Sequence, residues 1–124
     1  CTDHAPHAIE EKEVEFIYAP NGIIGLETAW AITNMRLYKS KKLNLQQLVE
    51  KLSTHPRAIL KLPELSLEVG ADANLTFFNT DEEWIFDKKN VRSKSNNSPY
   101  LDKKLTGRAV GIFNKGRLVL NELR

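Results

Sequence analysis

The stretch CTDHAPH, residues 1–7, concentrates a thiol, a carboxylate and two imidazoles in seven residues. Carboxylate oxygen and imidazole nitrogen are ligands that zinc accepts, and a bound zinc ion lowers the pKa of its water towards neutrality. These side chains nevertheless crowd together without the paired spacing of a structural zinc site. Taken alone, the stretch is therefore more simply interpreted as a polar surface turn with solvated imidazoles.

Composition narrows the class of protein. A chain of 124 residues forms one domain at most, and its 41% hydrophobic and 27% charged residues are typical of a globular protein. A net charge of +2, with short lysine clusters that no aromatic residues interrupt, argues against a nucleic-acid partner. No apolar run approaches the roughly 20 residues of a membrane span, and no signal peptide is found, so no membrane partner is expected. A single cysteine, Cys1, excludes an internal disulfide and favours a cytoplasmic location.

The first half of the chain predicts loops and helices. Apolar residues spaced three to four apart predict a helix over residues 26–38 with an apolar stripe on one face that includes Leu26, Trp30 and Leu37. A second helix is predicted to begin after Asn44, which can cap it while Gln47 returns the bond as in a capping box. A third, shorter helix is predicted in STHPRAILKL, residues 53–62, with Ser53 or Thr54 as its cap and a proline in its first turn.

The second half predicts strands. ANLTFFNT (residues 73–80) and EWIFD (residues 83–87) are short runs of strand-forming residues, and KSNNSPY (residues 94–100) is a polar loop. RAVGIFNKGRLVL, residues 108–120, predicts a hairpin in which Gly116 takes the left-handed position of a three-residue turn. The predicted order is a loop, three helices and about four strands.

Six blocks spread along the chain resemble one family. They are TDHAPH (2–7), EEK (10–12), APNGIIGLET (19–28), LNLQQLVEKLSTHPRAIL (43–60), VGADANLTFFN (69–79) and KSNNSPYLDKKLTGRAVGIFNKGRLV (94–119). In this order and spacing they resemble dihydroorotase of the amidohydrolase superfamily, and most closely the bacterial class similar to the dihydroorotase module of the multifunctional pyrimidine enzyme. The resemblance covers essentially the whole chain.

The resemblance implies an α/β fold. The chain would form the C-terminal part of a metal-dependent (β/α)8 amidohydrolase barrel, together with strands of its accessory β-sandwich subdomain. Residues 1–65 would supply the end of the last barrel strand, the active-site loop and C-terminal helices. Residues 66–124 would supply a β-rich segment of the accessory subdomain. Cys1 would be a small buried residue that closes the last barrel strand.

The resemblance also assigns a site. Asp3 matches the family's aspartate that binds the metal and moves the proton from the attacking hydroxide to the departing nitrogen. His7 matches the position that contacts the substrate carboxylate. Asn21 and Gly22 fall where the substrate loop offers backbone groups to the ring, and a glycine there lets the main chain come close. His4 is interpreted as a structural histidine rather than a ligand.

The activity that the resemblance implies is reversible, zinc-dependent hydrolysis of the cyclic amide of dihydroorotate to carbamoyl aspartate, in pyrimidine biosynthesis. The family's centre, with one or two zinc ions, also needs a His-x-His on the first strand, a carboxylated lysine and further histidines, and none of these ligands is in the sequence. The chain is therefore expected to be a C-terminal fragment of a longer enzyme, inactive and without zinc when alone.

Two alternatives remain open at this point. One is a sister cyclic amidohydrolase, such as an allantoinase or a hydantoinase, against which His7 argues because the rings of those substrates lack the carboxylate. The other is a non-catalytic homologue that serves as a structural partner of aspartate transcarbamoylase. A homo-oligomer is the further candidate assembly.

Overall fold

The computed structural model describes residues 1–121 and divides them into a helical first half and a β-rich second half. The helical segments are α1 (Ile9–Lys12), α2 (Ala29–Thr33) with a π-helical continuation (Asn34–Lys39), α3 (Leu45–Val49), a second π-helical segment (Glu50–Thr54) and α4 (His55–Ile59). The strands are β1 (Asn74–Phe86), β2 (Lys103–Asn114) and β3 (Arg117–Leu120), and a 3₁₀ turn (Lys88–Asn90) follows β1.

Helix α2 and its π-helical continuation confirm the helix predicted over residues 26–38, but only part of its predicted apolar stripe packs against the rest of the protein. Ala31 and Asn34 are buried, whereas Leu26 of the predicted apolar stripe is 63% exposed. The Nδ2 group of Asn34 donates hydrogen bonds to the carbonyl oxygens of Thr80 (3.0 Å) and Thr106 (2.9 Å) in the sheet. The helical face that meets the sheet therefore combines these polar contacts with Trp30, whose ring packs against Phe78 of β1 with centroids 4.2 Å apart.

Helix α3 begins with the predicted capping box. The side chain of Asn44 accepts from the Gln47 N–H, and the side chain of Gln47 accepts from the Asn44 N–H, both at 2.9 Å. The separate cap predicted for the third helix was wrong, because the chain stays helical from α3 through Glu50–Thr54 into α4. Thr54 has helical φ and ψ of −63° and −49° and makes no capping bond. The wide π-helical turn before Pro56 accommodates a ring that would clash in a regular α-helix.

The strands form one antiparallel sheet in the order β1-β2-β3, so the structure has three strands in its described part rather than about four. The two runs predicted as separate strands are both in β1, whose register against β2 shifts between Asn79 and Glu83. There the side chain of Asn79 accepts from the N–H groups of Asp81 (2.8 Å) and Glu82 (3.1 Å). The polar residues that look like a turn in the sequence are an irregularity within a continuous strand.

The hairpin between β2 and β3 confirms the predicted position of the turn. Asn114 pairs with Arg117, which leaves a two-residue loop of Lys115 and Gly116, with φ of +49° and +74°. Gly116 takes the left-handed conformation as predicted, but the three-residue turn was wrong. Two successive residues with positive φ give the twist that joins antiparallel strands most directly.

The core lies between α2 and the sheet. Ile24, Ala31, Phe86 and Leu105 form one buried cluster, so it draws on both of the predicted parts of the chain, 1–65 and 66–124. The division between these parts stays a prediction, and residues 122–124 of the second part lie outside the described residues. Within residues 1–121, no helix is both long enough and apolar enough to cross a membrane.

Candidate functional site: two paired loops

The opening stretch and the loop of residues 19–25 lie side by side. His4 and Ile23 form a parallel bridge, and the Ala5 N–H donates to the Ile23 carbonyl at 2.9 Å. Gly22 allows this approach, because a Cβ at its position would lie 2.5 Å from the Cβ of Ala5, and its φ is +105°. The pairing brings the predicted site residues of the two loops together.

His7 contacts the second loop directly. Its Nε2 lies 3.0 Å from the carbonyl oxygen of Asn21, and because a carbonyl only accepts, Nε2 carries the hydrogen. Its Nδ1 lies 3.4 Å from Oε2 of Glu11. A Cβ on Gly22 would stand 3.8 Å from the same Nε2. The three residues predicted to bind substrate, His7, Asn21 and Gly22, therefore form one cluster.

Asp3 is exposed, next to this cluster in the sequence. It has a φ of +46°, which is uncommon for a residue other than glycine, and strained backbone of this kind concentrates at functional sites. Its carboxylate takes part in none of the hydrogen bonds or ion pairs found among residues 1–121. Cys1 is also exposed, so the prediction that it is a buried residue was wrong.

His4 uses its ring nitrogens within the loops. Its Nδ1 accepts from the Gly25 N–H at 3.1 Å and lies 3.4 Å from the Leu26 nitrogen, while its Nε2 lies 3.4 Å from Oγ of Ser93. These contacts support the interpretation of His4 as a structural residue.

Charged residues of α1 form hydrogen bonds that hold the loop of residues 19–25 and the residue before α1 in place. Nζ of Lys12 donates to the carbonyl oxygens of Pro20 (2.5 Å) and Gly22 (2.8 Å), and Oε2 of Glu11 accepts from the Ala8 N–H (3.0 Å). The ammonium group thus ties α1 to the loop that carries Asn21. Glu11 and Lys12 therefore help to order the two loops.

The polar loop after β1 supplies residues that sequence reasoning missed. Oγ of Ser95 donates to the His7 carbonyl at 2.5 Å, and Nδ2 of Asn97 donates to the carbonyls of Ala5 (2.9 Å) and Gly22 (3.2 Å). The signal in the sequence was a run of serine and asparagine, whose side chains readily bond to backbone. The run does not reveal its partners, which lie 75 to 92 residues away along the chain.

Glu27 anchors the start of the same polar loop. Its Oε1 accepts from the Arg92 N–H (3.1 Å), the Ser93 N–H (2.7 Å) and the Ser93 hydroxyl (2.5 Å). Burial raises the pKa of the Glu27 carboxyl, but the bonds from Ser93 and Arg92 together outweigh it, and the pKa lies below the ordinary value of 4.5. Glu27 is therefore ionised at neutral pH.

The donor atoms present fit one position of a zinc centre. The carboxylate of Asp3 is available to a metal ion, whereas the ring nitrogens of His4 and His7 are engaged with loop atoms. In the part of the chain that the structure describes, no three His, Cys, Asp or Glu residues are grouped so as to hold a metal ion. A zinc ion at Asp3 would need its other ligands from outside residues 1–121.

Several curated proteins that are similar to this chain are named dihydroorotase. The dihydroorotase of Syntrophus aciditrophicus (strain SB) is 45% identical over 121 residues, which are 98% of this chain and 28% of the relative. The dihydroorotase of Geotalea daltonii is 43% identical over 96% of this chain and 28% of the relative. That of Chlorobaculum tepidum is 44% identical over 97% of this chain and 27% of the relative.

This chain is related to the dihydroorotases. The resemblance predicted from the sequence blocks is thereby confirmed, and the chain spans a little over a quarter of the length of these relatives. No family model matches it. A solved structure of D-hydantoinase superimposes on 91% of this chain and 25% of that protein with a TM-score of 0.74. Its 20% identity makes this a likeness of fold alone.

Proposed function

We propose that these residues act as part of a longer dihydroorotase, to which they contribute one metal ligand and a substrate-binding loop pair. The reaction is the reversible hydrolysis of the cyclic amide of dihydroorotate to carbamoyl aspartate. The observation that carries the proposal is the pairing of the two loops, which brings the His7 imidazole to the Asn21 carbonyl and leaves Asp3, four residues before His7 in the sequence, exposed. The names of the curated relatives support it.

For the fold, the proposal is that residues 1–65 supply the end of the last strand and the C-terminal helices of a (β/α)8 barrel. Residues 66–124 would belong to an accessory β-sandwich subdomain. The match to a quarter of D-hydantoinase supports this arrangement, as does the three-stranded sheet, whose outer strands β1 and β3 can pair with further strands. A cytoplasmic location stays a prediction.

Asp3 is proposed as the general acid–base group. It takes the proton of the attacking water and passes it to the ring nitrogen as the amide bond breaks. One or two zinc ions, when bound with Asp3 among the ligands, would polarise the amide carbonyl and acidify the water. The exposed carboxylate has no partner among residues 1–121 that would have to be displaced first.

His7 is proposed to bind the substrate carboxylate. Its Nε2–H, which now donates to the Asn21 carbonyl, is the kind of donor that a carboxylate accepts strongly. Transfer of this bond to the substrate would free the Asn21 carbonyl to accept from a ring N–H. His7 and the backbone of residues 21 and 22 would then select a cyclic amide that carries an acidic substituent.

Two substitutions in the longer protein test these roles. Asp3→Asn keeps the size of the side chain but not its basicity, and should lower kcat by about 100- to 10,000-fold. His7→Ala should raise KM for dihydroorotate by about ten- to a hundredfold, the loss of a hydrogen bond to a charged group. Asp72→Asn and His55→Ala, at exposed positions outside the loops, are the matched controls. Near-normal turnover by Asp3→Asn would contradict the proposal.

A sister cyclic amidohydrolase is the second candidate function, because the structural neighbour is a D-hydantoinase. A panel of dihydroorotate, allantoin and hydantoins, assayed with the longer protein, separates the candidates. Preference for the ring with a carboxylate supports dihydroorotase. A non-catalytic partnership with aspartate transcarbamoylase, and a homo-oligomer, stay predictions that copurification and sedimentation of the longer protein would test.

A further inference from the structure

The polar loop of residues 93–97 forms hydrogen bonds with the backbone of both site loops. Ser95 bonds to the residue that carries the substrate-contacting imidazole, and Asn97 bonds to one residue in each loop. Neither side chain reaches a predicted substrate-contacting side chain itself. Their partners are main-chain oxygens, which fix where the loops run.

Asn97 makes more hydrogen bonds to the two site loops than Ser95 does. Its Nδ2 donates to the carbonyls of Ala5 and Gly22, and its backbone carbonyl accepts from the Ile24 N–H at 3.1 Å. Because both carbonyls are acceptors only, the group that faces them must be the NH₂ rather than the oxygen of the amide. Its Oδ1, on the other side, lies 2.5 Å from the Ser95 hydroxyl. One amide group therefore spans the gap between the two loops.

Of the two residues whose carbonyls Asn97 binds, Gly22 is itself a predicted site residue and Ala5 lies close to two others in the sequence. Ala5 stands between Asp3 and His7, and Gly22 follows Asn21, whose carbonyl accepts the His7 bond. The Gly22 carbonyl also accepts from Lys12, so its orientation is set from two sides. A change in the spacing of Ala5 and Gly22 would alter how the His7 imidazole faces the backbone of residue 21.

We infer that Asn97 is a positioning residue that sets the spacing of the two loops and thereby orients His7 and the Asn21–Gly22 backbone towards substrate. This rests on the proposed function, which makes those groups the substrate contacts. Loss of the amide should therefore weaken substrate binding more than the proton transfer at Asp3. A side chain that only stabilised the fold would lower the amount of active protein and leave KM unchanged.

The test uses the longer protein, with dihydroorotate as substrate. Asn97→Ala should raise KM by about tenfold with kcat within about threefold, the scale of lost hydrogen bonds. Asn97→Asp, which sets a carboxylate against two carbonyl oxygens, should raise KM further. Asn96→Ala is the matched control, since Asn96 is an exposed neighbour whose side chain makes no bond with residues 1–121, and it should leave KM unchanged. An unchanged KM in Asn97→Ala, or an equal rise in Asn96→Ala, would overturn the inference.

Two further measurements keep the inference testable in every case. If Asn97→Ala does not fold, Ser95→Ala removes the bond to the His7 carbonyl and the contacts of the Ser95 hydroxyl with Asn97, and should raise KM about threefold. No rise in KM would overturn the inference. If the wild-type protein does not hydrolyse dihydroorotate, the proposed function fails. The positioning role of Asn97 can still be tested by amide hydrogen exchange. Asn97→Ala should then speed exchange at Ala5 and Ile24 but not in the β2–β3 hairpin. Unchanged exchange at both amides would refute positioning whatever the reaction.

Discussion

Replacing Gly107 with alanine is expected to destabilise the protein much more than replacing Gly70, although the two glycines have nearly the same backbone conformation. Their φ angles are +98° and +94°. A Cβ at Gly107 would lie 2.6 Å from Nδ2 of the buried Asn34, whereas a Cβ at Gly70 would meet no atom within 4 Å. The pair therefore separates the cost of the backbone conformation from the cost of the contact.

The magnitudes follow from these contacts. An alanine with positive φ costs about 1–2 kcal/mol, and the reduced freedom of the unfolded chain offsets about 0.4–1 kcal/mol of it. Gly70→Ala should therefore lower the free energy of unfolding by about 1 kcal/mol. Gly107→Ala adds overpacking of about 1–3 kcal/mol. It also displaces the Asn34 amide from the carbonyls of Thr80 and Thr106, at about 1 kcal/mol for each bond. Its total loss should be about 4–6 kcal/mol.

Urea unfolding followed by tryptophan fluorescence measures the difference. Trp84 is a probe of this region, because its Nε1 donates to the Gly107 carbonyl at 3.0 Å. With a urea dependence of about 1–3 kcal/mol/M, the two midpoints should differ by more than about 1 M. Asn34→Ser should destabilise the wild type but recover part of the loss in Gly107→Ala. Equal losses in the two glycine variants, or additive effects of Asn34→Ser, would refute the reasoning.

Three further predictions concern the chain alone and its acid stability. The 124-residue chain with added zinc should show no dihydroorotase turnover, because Asp3 alone cannot hold the ion against water; turnover above background in a contaminant-free preparation would contradict this. The lowered pKa of Glu27 gives stability that is present above about pH 4.5 and lost as pH falls through the folded value, so Glu27→Gln should flatten the acid-side fall in the urea midpoint. An unchanged acid-side fall in the urea midpoint of Glu27→Gln would show that Glu27 does not contribute to the loss of stability in acid. The chain alone should also self-associate through apolar side chains such as Phe16, which is 95% exposed. A monomer by light scattering at high micromolar concentration would count against it.

Features that depend on neighbours in the sequence could be predicted. The bonds between Asn44 and Gln47 join residues three positions apart, and the turn at Gly116 needs only a residue that tolerates positive φ between two strands. Both were found by pattern alone. Of the site, Asp3 and His7 were identified through the resemblance of their block to a family rather than through spacing.

Features that depend on distant partners could not be predicted in the same way. The burial of Asn34, in the π-helical continuation of α2, was not predicted because its partners Thr80 and Thr106 lie 46 and 72 positions further along the chain. Strand β1 was predicted as two separate strands because the polar residues that follow Asn79 resemble a turn in the sequence. In the structure, the side chain of Asn79 accepts hydrogen bonds from this segment within one continuous strand. The roles of Glu27 and Asn97 were missed because their partners are also distant in the sequence. A polar side chain in a polar segment does not indicate which backbone group it will bond.

The way in which the site loops are held explains why these distant bonds matter. Of residues 1–25, Ile24 alone among the apolar side chains is fully buried, so apolar packing fixes the loop pair at one point. Most of the other contacts that set its shape are hydrogen bonds, among them the Ala5 bond to Ile23, the bonds of the Lys12 ammonium and those of the Asn97 amide. Directional bonds fix distances between loops more narrowly than burial does, because hydrogen bonds weaken steeply with misalignment whereas the hydrophobic effect has no direction. The loops that carry Asp3 and His7 can therefore lie at the surface, open to substrate, and still keep a defined spacing.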